Sequence, residues 1–144
     1  MTNQSESTST KGLVEYLNPK TLHQNPAFTN VVTITGPVRT VYVGGQNAVD
    51  TSGEIVGKGN FKAQSEQILK NIQAALAAGG AQLEHVVKWN MYIVEGQSLQ
   101  EGFEAFQRVW GNRPNPPVIS MAFVAGLAHP DFLAEIDAIA VVPE

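Results

Sequence analysis

FKAQSEQILKNIQAALAAGGAQLEHVVKWNMYIV, residues 61–94, changes its hydrophobic period once, and that change decides the fold class. In its first part Phe61, Ser65, Ile68, Ile72, Ala75, Leu76 and Gly79 recur at helical spacing, with Lys62, Glu66, Lys70 and Gln73 off the stripe. This is the pattern of an amphipathic helix. Asn60 is placed to cap its start, and Gly79-Gly80 to stop it by taking the left-handed conformation favoured at helix C-termini. From residue 85 the period falls to two: Val87, Trp89, Met91 and Ile93 point one way, and Val86, Lys88, Asn90, Tyr92 and Val94 the other. Alternation of that kind is a strand.

Working outward, Ser98-Leu99-Gln100-Glu101 fits a capping box, and Leu99, Phe103, Phe106 and Trp110 continue it as the stripe of a second helix. NRPNPP, residues 112–117, ends that helix, because proline cannot continue it and restrains the residue before it. Two strands follow, Val118–Val124 and residues 132–142, joined by a loop containing GLAHPD. Upstream, residues 31–34 and 39–43 are short β-branched runs on either side of Thr35-Gly36-Pro37, the pattern of a hairpin. Residues 50–60 form a loop whose glycines do not have phosphate-loop spacing. With two helices and one sheet, the economical α+β packing puts both helices on one sheet face.

Composition bounds the function. A chain of 144 residues with 43% hydrophobic content fits one core, so we expect a single domain over 13–144, with residues 1–12, MTNQSESTSTKG, as a disordered tail. No apolar run suggests a secretory signal or a membrane span, which gives the expectation of a cytoplasmic protein with no membrane partner. There is no cysteine, and His23, His85 and His129 form no paired ligand spacing, so no metal site is expected. The net charge is −4 and the Lys and Arg residues are scattered, which argues against a nucleic-acid partner.

The face of the sheet turned away from the helices is unusual. In the last strand Ala134, Ile136 and Ala138 form one side, leaving Leu133, Glu135, Asp137, Ile139 and Val141 on the other. A face this apolar is expected to be covered by self-association. A carboxylate within it suits either a general acid or base, or an ion pair with Lys88. PPVISMAFVAGL, residues 116–127, carries no charge at all and fits between the helices and a partner subunit.

VYVGGQ (41–46), KNIQAALAAGG (70–80), HVVKWNMYI (85–93) and AEIDAIAV (134–141) occur in an order that resembles the YjgF-like reactive-intermediate deaminase (Rid) family over roughly residues 28–142. The resemblance implies a chorismate-mutase-like subunit with a mostly antiparallel six-stranded sheet, assembled as a homotrimer around a central barrel, with clefts at the subunit boundaries. It also implies hydrolysis of enamines and imines derived from amino acids, without a metal or organic cofactor.

Residue by residue, the resemblance departs from the deaminase pattern. The position of the family arginine that clamps the substrate carboxylate, counted from Pro117, is Ile119. A family asparagine on the second helix aligns with Phe103, and the serine before Gly-Gln with Gly44. Glu135 is kept and is implied to handle the water or proton, while Phe28 matches an N-terminal aromatic and Tyr92 is a candidate ligand contact. Arg39 and Arg113 are alternative carboxylate partners, against the simpler reading of solvated charges. Asp137 reads as structural and His129 as a turn residue. Three functions stay open: a Rid-type hydrolase with a less charged pocket, a non-catalytic binding or sensing trimer, and, least supported, an endoribonuclease.

Overall fold

The structure is a computed structural model describing residues 11–144. In chain order its elements are β1 (Leu13–Leu17), β2 (Val31–Thr35), β3 (Val38–Gln46), α1 (Phe61–Ala78), β4 (Val86–Val94), α2 (Leu99–Trp110), β5 (Val118–Val124) and β6 (Ala134–Pro143). The period change of residues 61–94 is the passage from α1 to β4. Asn60 Oδ1 accepts the Ala63 N–H at 3.0 Å, and Gly80, at φ +77°, takes the left-handed conformation just beyond the helix. Phe61, Ser65, Ile68, Ile72 and Leu76 are buried as the stripe requires.

A four-stranded sheet runs in the order β3-β6-β4-β5, with β4 and β5 parallel and the other pairs antiparallel. Both helices pack on one face, and the core between them includes Trp89, Ile93, Ala134, Ala138 and Ala140. The α+β class therefore holds. The remaining two strands, β1 and β2, pair with each other as a separate sheet. The expected hairpin between residues 31–34 and 39–43 does not form, because β2 pairs with β1 and β3 with β6. Gly36, at φ +83°, turns the chain out of the first sheet, and Pro37 has no N–H to extend the ladder. Of the expected tail, residues 1–10 lie outside the described residues. Gly12 is tied to the fold by its N–H, which donates to the Glu144 carbonyl at 3.2 Å.

Two local expectations are corrected. Val86, rather than Val87, joins the core cluster, because the β4–β6 register shifts between Val86 and Lys88. One extra residue in a strand reverses its alternation, and the expected pattern holds only from Trp89 onward. At α2, Ser98 Oγ accepts the Glu101 N–H at 3.4 Å, but among the described residues the Glu101 carboxylate makes no return bond, so half of the capping box forms. The α2 stripe also divides. Phe106 and Trp110 are buried, with Phe106 edge-on to Trp89 at 6.0 Å, whereas Leu99 and Phe103 stay about half exposed. No helix among the described residues is long and apolar enough to cross a membrane.

Gln64 of α1 is fully buried and ties two loops to the helix. Its Nε2 donates to the carbonyls of Gly57 (3.2 Å) and Asp131 (2.9 Å), and its Oε1 accepts the Leu133 N–H at 3.0 Å. Gln64→Ala leaves these three backbone groups unpaired around a new cavity. We expect it to lower stability by about 2–4 kcal/mol in urea denaturation, whereas a loss below about 1 kcal/mol would show that water replaces the amide.

Candidate functional site

β5 is an edge strand, and its parallel register with β4 sets Ile119 beside Trp89, Met121 beside Met91 and Phe123 beside Ile93. All three β5 residues therefore share the helix side of the sheet. Leu99 and Phe103 of α2 stand over them and enclose a cleft of about 240 Å³ with α1 and the ends of β4 and β6. Gly102 lets α2 approach, since a Cβ there would come within 3.0 Å of the Phe61 ring. Ser65 is the only polar side chain among the described lining residues, and none is charged. The absence of charge on β5 thus has a structural counterpart: the strand forms the wall of an apolar cleft.

Of the expected site residues, Ile119 and Phe103 meet in this cleft. Phe28 is half-buried nearby, but its neighbour Ala27 is the residue that lines the wall. Thr29 holds that segment on the start of β5, donating its N–H to the Pro117 carbonyl at 3.1 Å and its hydroxyl to the Pro116 carbonyl.

Glu135, Tyr92 and Gly44 are not brought to the cleft within one chain. Ala134 and Ile136 line it, so strand alternation turns Glu135 to the opposite face, where it lies directly across from Tyr92. Gly44 is exposed there, and a Cβ on it would meet nothing within 4 Å. The glycine that matters for Glu135 is the next one. The β3–β6 register shifts between Val43 and Gln46, and a Cβ on Gly45 would fall 2.3 Å from Glu135 Oε2. On the other oxygen, Asn47 Nδ2 donates to Glu135 Oε1 at 3.3 Å. The sequence reading did not single out Gly45 or Asn47. For Gly45 the one local sign is the glycine pair in VYVGGQ, which is compatible with a bend and does not show what the bend faces.

The alternative cations are engaged elsewhere. Arg39 donates to the Gly79 carbonyl at 3.3 Å and to Glu144 at 3.2 Å. Arg113 donates to Glu84 at 3.3 Å and to the Val109 and Trp110 carbonyls at 2.9 Å, closing the end of α2. Glu84 is held below the usual carboxylate range, first by its own backbone N–H and also by the Arg113 guanidinium. Neither arginine lines the cleft. Lys88 pairs with neither strand carboxylate among the described residues. Asp137 instead accepts a bond from Asn90 Nδ2 at 2.8 Å, directly across the strands. His129 Nδ1 accepts the Asp131 N–H at 3.0 Å within its turn. Among the described residues no three of His, Cys, Asp and Glu stand together as a metal site requires.

A profile of the family described as Endoribonuclease L-PSP matches residues 21–142. A RutC family protein of Synechocystis is 33% identical over 107 residues, spanning 72% of this chain and 78% of that protein. A RutC family protein of Pyrococcus horikoshii is 35% identical over 101 residues, spanning 69% and 77%. Among solved structures, YyfB of Yersinia pestis, a Rid family protein of unknown function, has TM-score 0.79 at 28% identity and covers 90% of this chain and 98% of its own. TdcF of Escherichia coli, solved with bound serine, has TM-score 0.65 at 27% identity, over 72% and 80%.

The adjacent glycines give a paired test. Gly45→Ala is expected to push the Glu135 carboxylate away from Asn47 and so to shift the Asn47 side-chain amide resonance, while Gly44→Ala, facing open space, leaves it nearly unchanged. An amide resonance unmoved in Gly45→Ala would contradict the packing of Glu135 against Gly45.

Proposed function

Since the chain belongs to the Endoribonuclease L-PSP family, with relatives that carry the RutC and Rid names, we propose that it is a small-molecule hydrolase of enamines or imines that bear no carboxylate. The observation that carries this reading is the meeting of Ile119 and Phe103 in a cleft without a charged side chain. A carboxylate entering it would lose water and find no guanidinium in exchange. A hydrogen bond to a charged group contributes roughly 1.5–3 kcal/mol, so the missing contact alone corresponds to about tenfold or more in affinity. Serine bound to TdcF shows that a relative accepts an amino acid; the uncharged wall of β5 favours a ligand without that carboxylate here.

Hydrolysis of an imine adds water to the C=N carbon, gives a carbinolamine, and then breaks the C–N bond to leave a carbonyl compound and an amine or ammonia. Glu135 is the residue proposed to take the proton from water and return it to the departing nitrogen. Within one chain it faces away from the cleft, so the reading places Glu135 of one copy against the β5 cleft of the next, in a homotrimer that buries the non-helix faces. The exposed side of that sheet, where Tyr42 is 77% accessible, supports such an assembly. The same separation favours a second reading, a trimer that binds its ligand without chemistry.

Ammonia release from freshly generated imines, compared between neutral and carboxylate-bearing members, separates these readings. We expect turnover of the neutral class, loss of it in Glu135→Gln, and a gain of about tenfold or more towards 2-aminoacrylate in Ile119→Arg. Wild-type turnover of 2-aminoacrylate equal to that of Ile119→Arg would overturn the uncharged-substrate reading, and no turnover of any imine would leave the binding trimer. Sedimentation of the same preparations is expected to give a trimer. A stable monomer at micromolar concentration would rule out the shared cleft.

A further inference from the structure

Glu135 sits in a setting built by other side chains. Asn47 Nδ2 donates to Glu135 Oε1 at 3.3 Å and to the Ala134 carbonyl at 3.1 Å. Because both neighbours are acceptors, the amide nitrogen must face them, which fixes the orientation of the Asn47 side chain. Asn47 is held in turn. Its carbonyl accepts a bond from Asn71 Nδ2 at 3.0 Å, and the same nitrogen reaches the Val49 carbonyl at 2.9 Å. Asn71 Oδ1 is filled by Gln67 Nε2 at 2.8 Å.

Gln67 and Asn71 are one helical turn apart on α1, so the chain of bonds starts from a packed helix and not from the loop. Ala48, fully buried between the two anchored carbonyls, removes the remaining freedom of the turn. Gly45 clears the side of Oε2. Tyr92 of β4 faces Glu135 from across the strands, and Asp137, two residues along β6, is tied to Asn90. Among the described residues no cation lies within 4 Å of Glu135. Asn47 is therefore the group that grips this carboxylate.

We infer that Asn47, anchored to α1 through Asn71 and Gln67, is the positioning residue that holds Glu135 for its proton transfer. This rests on the hydrolytic reading above. The plain alternative is that Asn47 only closes the turn through the Ala134 carbonyl, with Glu135 a bystander. The two differ in whether a change at Asn47 is felt through Glu135.

The test uses the full chain and two independent readouts. In NMR spectra, the Asn47 side-chain amide, identified by its disappearance in Asn47→Ala, is expected to shift in Glu135→Gln and to stay in place in Asp137→Asn. An unmoved amide in Glu135→Gln would overturn the contact. In turnover of a neutral imine, Asn47→Ala is expected to lose about tenfold or more in kcat with KM within about twofold of wild type, as misplacement of a reacting group requires. Asn47→Asp, which sets a second carboxylate against the first, is expected to lose more. Wild-type kcat in a folded Asn47→Ala variant would overturn the positioning role. Absence of wild-type turnover would instead overturn the hydrolytic reading and the positioning role with it, and a shifted amide would then show the Asn47–Glu135 contact alone.

Discussion

β6 lies between β3 and β4 and turns Ala134, Ile136, Ala138 and Ala140 towards the helices, so its two carboxylates have only the opposite face to occupy. The small alanines let α1 lie close to the centre of the sheet, and the period of two does the rest. This single constraint separates the chain's chemistry into two places. One is an apolar cleft on the helix side, walled by β5 and α2. The other is a polar patch on the far side, where Glu135 is gripped by Asn47 and Asp137 by Asn90. Within one chain the carboxylate and the cleft stay apart, and the proposed hydrolysis requires a second copy to bring them together.

The cleft exists because β5 is an edge strand running parallel to β4. An edge strand has no neighbour to cover its outer side chains, so Met121 and Phe123 remain about half exposed although they lie on the helix side. α2 covers them only in part, since its stripe enters the core at Phe106 and Trp110 and leaves Leu99 and Phe103 over the opening. Apolar surface left open beside a cavity is what an apolar ligand, or a partner surface that delivers one, would cover.

Much of this was legible in the sequence wherever the signal was local and periodic. The α1 stripe, the Asn60 cap, the bounds of β5 and the division of β6 into Ala134, Ile136 and Ala138 against Glu135 and Asp137 follow from spacing alone. What was not legible depends on irregularities of register or on distant partners. The bulge that puts Val86 in the core and the shift at Gly44-Gly45 each insert one residue, and an insertion of that kind leaves little trace in composition. β1, five residues long, is too short for alternation to stand out and is defined by its pairing with β2. Gln64, Gln67 and Asn71 read as ordinary polar flank residues of α1. Only the fold shows that Gln64 bonds the Gly57 and Asp131 carbonyls, that Asn71 bonds the backbone carbonyls of Asn47 and Val49, and that Gln67 fills the Asn71 side-chain oxygen.

At the centre of the account is a ligand chosen by an uncharged cleft at Ile119. The most direct measurement is equilibrium binding to the wild-type protein of two stable ligands of matched shape, one a neutral amide and the other the corresponding carboxylate, read from methyl resonances of Ile119 and Met121. The account predicts that the amide binds more tightly, by about tenfold or more, and that both resonances move as it binds. Tighter binding of the carboxylate at these same resonances would contradict it.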